Sequence, residues 1–352
     1  MAMKKKGRTA ARWILSVGMI AFLGAGLPRP TVAEEEEKET LPPPVEIDTD
    51  LNMVPGARIA VVTKNTSGSF WSSVKQGMED AIADINEVYA LEKDDKLTMT
   101  FEGPNEETKV TDQINTIDAV LAENPQVLCL SAADMESCEA QLESARENGI
   151  PVIMFDSDVE SDIYTAFCGT DNAKAGTLAA EQMAEALNHE GEIVIFAHQG
   201  KTVTSTERVK AFQKKLEEYP DMKVTEVLYS DEEEDMKASM KKFLEENEEI
   251  SGVFCTNGEI SQLFLEVQNE LEDRELTFIG VDTTQEQQEA ILDGRELGTV
   301  AQQPYAIGYQ TIYQAVRALC GASVEQEILL DTAWIDAQAL ETPEEYAEYL
   351  AY

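Results

Sequence analysis

Residues 58–85 read RIAVVTKNTSGSFWSSVKQGMEDAIADI, and they contain an alternation that continues along most of the chain. Their first part, 58–64, is a short apolar run rich in β-branched residues, which favours a strand. A polar loop follows this run. From Phe70 to Ile85 the apolar side chains recur at spacings of three and four residues, which predicts an amphipathic helix. The stretch therefore predicts a strand that leads through a polar loop into a helix.

The same alternation extends to about residue 302. Further strands are predicted at 97–103, 127–132, 151–156, 164–169, 192–198, 222–229, 252–257, 276–282 and 297–302. Further helices are predicted at 110–122, 137–147, 173–187, 204–219, 235–246, 261–270 and 285–292. Such alternation predicts parallel sheets covered by helices on both faces. Because 352 residues exceed the roughly 250–300 at which a single core stops growing, we expect an α/β protein with two doubly wound parallel-sheet lobes.

The N-terminal segment has the features of a secretory signal. Basic residues precede an apolar run from Trp13 to Leu27, and small residues up to Ala33 suit a cleavage site. The run is shorter than the ~20 residues that a membrane-spanning helix needs, and an uncleaved anchor is the alternative. We therefore predict a signal peptide at 1–33 and export to the periplasm or the outer face of the cytoplasmic membrane.

The segment that follows the signal is acidic and rich in proline. Residues 34–55 are interpreted as an extended tether without a core. No cysteine directly follows the apolar run of the signal, so the lipid attachment of many exported proteins is not expected.

The charge balance excludes one class of partner. The chain carries 68 acidic against 27 basic side chains, a net charge of −41. Such a field repels nucleic acids and anionic lipid surfaces, and it keeps copies of the molecule apart. We therefore expect no nucleic-acid partner, and we expect a monomer.

The sequence carries no pattern typical of catalysis or of metal binding. The two histidines, His189 and His198, have no serine or cysteine nucleophile at motif spacing. The five cysteines are scattered, and no phosphate-binding loop, zinc motif or calcium loop is present. We therefore expect no enzyme activity, no cofactor and no metal.

Polar and aromatic side chains follow the ends of the predicted strands. They include Ser69, Phe70, Trp71, Asp156, Ser157, His198, Arg208, Asn257, Asp282 and Gln302. Ligands of such folds bind outside the carboxyl ends of the parallel strands. With two lobes, the pattern predicts a polar cleft between them.

Seven fragments, in order and spacing, resemble the periplasmic sugar-binding proteins of ABC importers, and among them most nearly the ribose-binding proteins. The fragments are SFWSSVKQGMEDA (69–81), GIPVIMFDSD (149–158), GTDNAKAG (169–176), TSTERVKAF (204–212), GVFCTNGE (252–259), FIGVDTT (278–284) and GTVAQQPYAIG (298–308). The resemblance covers about residues 57–335. It implies that two lobes close around a small sugar or polyol-like ligand and deliver it to an ABC permease in the membrane. A sensor that presents the closed form to a chemoreceptor or a histidine kinase is the alternative.

The resemblance also implies which residues bind the ligand. The matching residues are Phe70, Trp71, Asp156, Arg208, Asp282 and Gln302. The aromatic pair would pack on the CH-rich face of a sugar, the carboxylates would accept hydrogen bonds from hydroxyls, and the arginine would donate to their oxygens. Possible further ligand residues are Ser69, Ser157, His198 and Asn257.

Three positions depart from the pattern of the ribose-binding proteins. An arginine is expected where the chain has Ser157, an aromatic residue where it has Glu232, and an asparagine where it has Gly258. A different pentose or hexose, or another small polyol-like molecule, therefore fits the sequence as well as ribose does.

The resemblance implies how the lobes divide the chain. The N-terminal lobe is predicted at 56–169 and 303–331, and the C-terminal lobe at 170–302 and 332–345. Three crossovers near 168–171, 301–304 and 330–333 would form the hinge. A transcription regulator of this fold is not expected, because the signal and the tether occupy the place of its DNA-binding segment.

Overall fold

The computed structural model describes residues 41–271 and 274–350, so the predicted signal peptide and residues 34–40 lie outside the described residues. In the described part, twelve strands form two six-stranded sheets. The strands are β1 (Arg58–Val62), β2 (Thr98–Glu102), β3 (Val127–Leu130), β4 (Val152–Phe155), β5 (Ala166–Thr170), β6 (Glu190–Ala197), β7 (Asp221–Tyr229), β8 (Ile250–Cys255), β9 (Thr277–Val281), β10 (Gly298–Ala301), β11 (Glu327–Leu330) and β12 (Ala333–Ile335).

Helices connect most of these strands. They are α1 (Ser69–Val88), α2 (Val110–Ala122), α3 (Glu139–Glu147), α4 (Asn172–Ala186), α5 (Val203–Leu216), α6 (Met236–Glu246), α7 (Gly258–Gln268), α8 (Gln285–Asp293), α9 (Pro304–Leu319) and α10 (Ala347–Leu350). None of the described helices is both long and apolar enough to cross a membrane.

The two sheets have the same strand order. The first runs β11-β5-β4-β3-β1-β2 and the second runs β12-β10-β9-β8-β6-β7. All pairs in the first sheet are parallel. In the second sheet only the pair of β10 with β12 is antiparallel. Each sheet with its helices forms one lobe, so the α/β fold with two parallel-sheet lobes is confirmed.

Each sheet is buried on both faces, which explains why its central strands are uniformly apolar. In β1, Ile59 and Val61 pack in one core with Trp71 of α1, while Ala60 and Val62 pack in a second core on the opposite face. Successive side chains of a strand point to opposite faces, so a strand covered by helices on both faces needs apolar residues at every position. The second sheet repeats this arrangement with two further cores.

The chain passes between the lobes three times. It crosses from β5 to α4, from β10 to α9, and from β11 to β12. These crossings lie at the positions predicted for the hinge. Their importance for the site is that β5 and β10 both end directly at a crossing, so the residues that follow them belong to the hinge and face the boundary of the lobes.

Every predicted strand and helix is present, with bounds that differ by only a few residues. The predictions did not include β11, β12, α9 or α10. Strands β11 and β12 have only 4 and 3 residues, which is too short for a clear periodicity. Helix α9 is buried from Pro304 to Val316 apart from Gln310, and the predictions leave it out because the predicted alternation extends only to about residue 302.

The described part of the predicted tether is not free of the first lobe. Residues 41–55 form no helix or strand, but five of their apolar side chains pack against the core of that lobe. They are Leu41, Val45, Ile47, Leu51 and Met53. The hydroxyl of Tyr89 also donates to the carbonyl of Asp48 at 2.6 Å, and Arg317 binds the Asp48 carboxylate at 3.2 Å. This corrects the expectation of an extended tether, because its apolar residues extend the core of the lobe.

The C-terminal segment returns to the hinge. Tyr349 accepts a hydrogen bond from Thr283 of the second lobe at its carbonyl, at 2.6 Å. Its hydroxyl accepts one from Gln303 at 3.2 Å, directly after the second crossing. The segment thereby contacts both the hinge and the lobe that carries β9.

Candidate functional site

A cavity of about 270 Å³ lies between the two lobes, at the carboxyl ends of their strands. Nine of the ten residues predicted for the site line it: Ser69, Phe70, Trp71, Asp156, His198, Arg208, Asn257, Asp282 and Gln302. Ser157 is the exception, because its side chain is buried next to the cavity and does not line it. Glu232, at the position of the expected aromatic residue, also lies outside the lining.

The two aspartates occupy equivalent places in the two lobes. Asp156 follows β4 and Asp282 follows β9, which are the third strands of the two sheets when each is counted from its hinge edge. Both have left-handed backbones, with φ of 56° and 76°. A left-handed backbone is uncommon outside glycine, and at functional sites it is held in place by the surrounding structure. Here it places a carboxylate of each lobe at the cavity.

The aromatic pair begins helix α1 at the floor of the first lobe. The rings of Phe70 and Trp71 meet edge to face, with centroids 5.1 Å apart, and Trp71 meets Phe155 in the same way at 6.4 Å. Trp71 is only 5% exposed, whereas Phe70 is half-buried. Trp71 therefore fixes the pair in the core, and Phe70 has the larger accessible surface.

Four charged side chains that the sequence reasoning missed also line the cavity, namely Lys64, Glu106, Glu107 and Glu259, and two of them are buried. Lys64 follows β1, and its Nζ lies 3.3 Å from Oδ2 of Asp156 and 3.6 Å from Oε2 of Glu107. All three side chains are nearly buried. Burial alone lowers the pKa of Lys64, but the attraction of Asp156 and Glu107 outweighs it, so the pKa is raised and Lys64 is charged. Burial raises the pKa of Glu107.

Lys64 and Glu107 could have been found with the rule that located the other residues. Lys64 is the last residue of the first predicted strand, and Glu107 comes shortly after the second. Because β1 and β2 are parallel neighbours, their ends lie at the same edge of the sheet. The resemblance gave neither residue a role, which is why they were overlooked.

Arg208 and Gln302 form a hydrogen-bonded network at the hinge side of the cavity. The guanidinium of Arg208 donates to Oδ1 of Asn172 at 2.9 Å, to the carbonyl of Thr256 at 2.7 Å, and to Oε1 of Gln302 at 2.8 Å. The Gln302 amide in turn donates to Oδ1 of Asp282 at 2.6 Å. Oε1 of Gln302 also accepts from the Thr170 hydroxyl at 2.6 Å.

The network gives Gln302 a definite orientation. Its oxygen faces two donors and its nitrogen faces a carboxylate, so the amide cannot rotate without losing these bonds. Since Gln302 and Thr170 follow β10 and end β5, their hydrogen bond also joins the first two crossings of the hinge.

His198 is held as a neutral imidazole. Its Nδ1 lies 2.7 Å from the hydroxyl of Thr256 and its Nε2 lies 2.9 Å from that of Thr204. Burial, together with the nearby charges of Lys64 and Arg208, lowers the pKa of His198 well below its usual range. The ring lines the cavity, but both nitrogens are engaged by threonines.

The second lobe closes the cavity with the start of helix α7. The side chain of Asn257 accepts from the backbone N–H of Ile260 at 3.0 Å and caps the helix. Gly258 donates its backbone N–H to Oδ2 of Asp282 at 2.7 Å. A Cβ at Gly258 would lie 3.1 Å from that oxygen, which is a tight contact. Glycine, in place of the asparagine expected from the ribose-binding proteins, therefore leaves room for the backbone to approach the carboxylate.

Curated proteins similar to the chain are solute-binding proteins. The ribose import binding protein of Bacillus subtilis is 23% identical over 273 residues, which cover 77% of this chain and 84% of that protein. A xylitol-binding protein of Mycolicibacterium smegmatis is 25% identical over 249 residues, which cover 70% of this chain and 67% of that protein.

A solved structure shows the same architecture. The solute-binding protein of an ABC transporter from Agrobacterium vitis, with bound D-fucose, aligns with a TM-score of 0.76 at 26% identity. The alignment covers 82% of this chain and 99% of that one.

A profile of the family described as periplasmic binding protein domain matches residues 59–323, which include strands β1 to β10 apart from the first residue of β1 and leave out β11 and β12. Proteins of this family bind solutes for transporters and are not enzymes, and membership implies export from the cytoplasm. Fold, cavity and profile agree, and the chain belongs to the periplasmic binding protein domain family.

Proposed function

We propose that this protein captures a small hydroxyl-rich ligand, a monosaccharide or a polyol, by closing its lobes, delivers it to an ABC importer, and catalyses no reaction. The observation that carries the proposal is the cavity between the lobes, where an aromatic pair and a carboxylate of the first lobe meet a carboxylate and an amide of the second. The proteins compared above bind ribose, xylitol and D-fucose, which supports this class of ligand.

The size of the cavity supports a single sugar unit. At about 270 Å³ it lies just below the range of about 300–1,000 Å³ that is typical of sites for drug-sized molecules. The half-buried ring of Phe70 offers an apolar surface to the CH-rich face of such a ligand. Asp156 and Asp282 offer acceptor oxygens to its hydroxyls from opposite lobes.

Closure follows from the division of these contacts between the lobes. A ligand that contacts only one lobe binds the open and closed forms equally well, and so it does not shift the equilibrium between them. A ligand bound by Asp156 and Asp282 together makes its full set of contacts only in the closed form. It therefore selects that form, which the permease would then recognise.

The thiols support the absence of catalysis. Burial raises the pKa of Cys138 to about 11 and that of Cys168 to about 12, so neither is a thiolate at neutral pH. For targeting, the sequence supports removal of residues 1–33 by cleavage after Ala33, with an uncleaved anchor as the alternative.

Titration calorimetry against a panel of pentoses, hexoses and polyols tests the proposal. We expect at least one member to bind, and we expect Asp156→Ala to weaken that binding by about tenfold or more, since it removes both acceptor oxygens of the side chain. Asp112→Asn, an exposed change on α2, is the matched control and should leave the affinity unchanged. If no member binds, or if Asp156→Ala binds as the parent does, the proposal is wrong.

A further inference from the structure

The charges that line the cavity are not balanced. Among the described residues, five carboxylates line it against two cations. The carboxylates are those of Glu106, Glu107, Asp156, Glu259 and Asp282, and the cations are Lys64 and Arg208. His198 adds no charge, because its pKa lies well below the usual range. Glu106 pairs with Lys109 at 2.9 Å, and the four other carboxylates still outnumber the two cations of the lining before any ligand enters.

In the first lobe the carboxylates that contribute to this excess are buried. Asp156 is 5% exposed and Glu107 is 9% exposed, and both lie against the single ammonium of Lys64. One cation cannot fully compensate two buried carboxylates, and a buried carboxylate that lacks compensation is costly. Glu107 is the more distant partner of Lys64, at 3.6 Å. Its carboxylate is therefore the less compensated of the two.

The second lobe contributes another carboxylate to the same cavity. Glu106 and Glu107 come from the loop between β2 and α2, whereas Glu259 comes from the first turn of α7. Burial raises the pKa of both Glu107 and Glu259, and the attraction of Lys64 offsets this only in part; repulsion by Glu259 adds to the shift of Glu107, and repulsion by Glu106 adds to that of Glu259. The two lobes thus bring their carboxylates towards the single ammonium of Lys64, which opposes closure unless a further cation joins them.

The arrangement suits an organic cation better than a metal ion. In residues 41–271 and 274–350, no group of three or more histidine, cysteine, aspartate or glutamate side chains is placed to hold a metal ion. A metal ion needs several ligands in a regular arrangement. An ammonium group donates up to three hydrogen bonds, so a few acceptors can hold it. The rest of the lining still suits a sugar or polyol, because it offers an aromatic pair and acceptors for the hydroxyl groups of the ligand.

We propose that the ligand is a polyhydroxylated molecule with a protonated amine, an amino sugar or an amino polyol, whose ammonium lies between Glu107 and Glu259. The proposal rests on the proposed function, because it assigns the class of ligand to the same cavity. The amine replaces the missing positive charge, and it links the first lobe to the second only when the lobes are closed. A sugar acid or a sugar phosphate is correspondingly rejected.

The test compares matched ligands that differ in charge. Titration calorimetry at about pH 7 would use glucose, galactose, mannose and sorbitol, each beside its amino analogue, the N-acetylated forms of the amino sugars, and glucuronate. We expect at least one amino compound to bind about tenfold or more tightly than both its neutral parent and its N-acetyl form. Glucuronate should not bind. The N-acetyl forms control for the bulk at the nitrogen, since they lack the charge.

Substitutions then test which glutamates bind the ammonium group of the ligand. Glu107→Gln should reduce the ratio of amino to neutral affinity to near one, and Glu259→Gln should reduce it in part. Glu147→Gln, an exposed change on α3, is the matched control and should keep the ratio. Thermal unfolding of each variant checks that it is folded, and the Glu259 variant covers the case in which the buried Glu107 variant does not fold.

The outcomes separate this inference from the proposed function. The inference of a protonated amine is wrong if a neutral sugar binds as tightly as its amino analogue, or if the preference for the amino analogue survives in both glutamine variants. The proposed sugar-binding function stands in either case. If glucuronate binds as well as glucose, the charge argument is also overturned. If no compound of the panel binds, both proposals are wrong.

Discussion

At the scale of single residues, Glu296 shows how the fold tolerates a buried carboxyl group. It is 1% exposed, and its Oε1 lies 3.2 Å from Nε2 of Gln287, while Oε2 has no hydrogen-bond partner in the described part of the chain. Burial raises the pKa of Glu296 well above its usual range, and the bonds from Gln287 and Gly280 and the charge of Arg295 offset this only in part. Cys255 also lies near it. Burial therefore favours the protonated form of this carboxyl group in the folded protein.

This protonation makes stability depend on pH in a definite direction. The pKa of Glu296 is higher in the folded than in the unfolded chain, where it is about 4.3. The folded state then binds the extra proton, and stability is lost as the pH rises from that value towards the folded pKa. We expect Glu296→Gln, which cannot ionise, to raise the melting temperature at about pH 8 by more than at about pH 5.

The control for this variant is Glu246→Gln, an exposed change on α6 of the same lobe. It should shift the melting temperature equally at both pH values. A Glu296 variant that is destabilised more at high than at low pH would show that the glutamate is ionised in the folded state.

At the scale of elements, the first lobe depends on the close crossing of α1 and α9. A Cβ on Gly308 of α9 would lie 2.0 Å from the carbonyl oxygen of Val74, and one on Gly77 of α1 would lie 2.0 Å from that of Tyr305. Each helix therefore needs a glycine where the other crosses it. The hydroxyls of Tyr305 and Tyr309 also bind Asp80 and Asp84 of α1, at 3.0 Å and 2.8 Å. Because Phe70 and Trp71 lie in the first turn of α1, this contact also holds the aromatic pair at the cavity.

We expect Gly308→Ala to destabilise the protein, because the added methyl group must push the two helices apart. The loss of unfolding free energy should be about 1–3 kcal/mol, as for other overpacked cores, and denaturant titration measures it. Gln310→Ala, two residues further along α9 and only partly buried, should cost much less. Equal losses in the two variants would mean that the crossing has room for a side chain.

The same elements show what the sequence can and cannot reveal. Periodicity located the strands and helices that have one clear pattern, and strand ends located Asp156, Asp282 and Gln302. Periodicity could not show that α9 crosses α1 at Gly77 and Gly308, because the two glycines lie more than 200 positions apart. Nor could it show that Oε1 of Gln302 accepts from Thr170 and Arg208, which are distant in sequence and meet only through the hinge.

At the scale of the whole molecule, the identical strand order of the lobes places related residues on both sides of the site. Asp156 and Asp282 directly follow equivalent strands, while Thr170 ends the next strand of the first sheet and Gln302 directly follows the next strand of the second. The second pair is joined by a 2.6 Å hydrogen bond across the first two crossings. The hinge is therefore coupled to the ligand site through Gln302, which contacts both.

Thr170→Val removes this link while keeping the shape of the side chain. We expect ligand affinity to fall by about three- to tenfold, since one buried hydrogen bond is worth about 0.5–1.5 kcal/mol. Small-angle scattering with and without ligand would show a smaller ligand-induced decrease in the radius of gyration.

The control is Thr177→Val on α4, whose hydroxyl donates only to a carbonyl of its own helix. It should change neither the affinity nor the scattering. An unchanged affinity in the Thr170 variant would mean that Gln302 is held sufficiently by Arg208 and Asp282.

The return of the C-terminal segment to the hinge has a practical consequence. Because Tyr349 contacts Thr283 and Gln303, the end of the described chain is fixed beside the crossings that must bend when the lobes close. A fluorophore attached there would change its surroundings with each closure, without any alteration to the cavity. The protein thus offers a built-in attachment point for an optical biosensor of its own ligand.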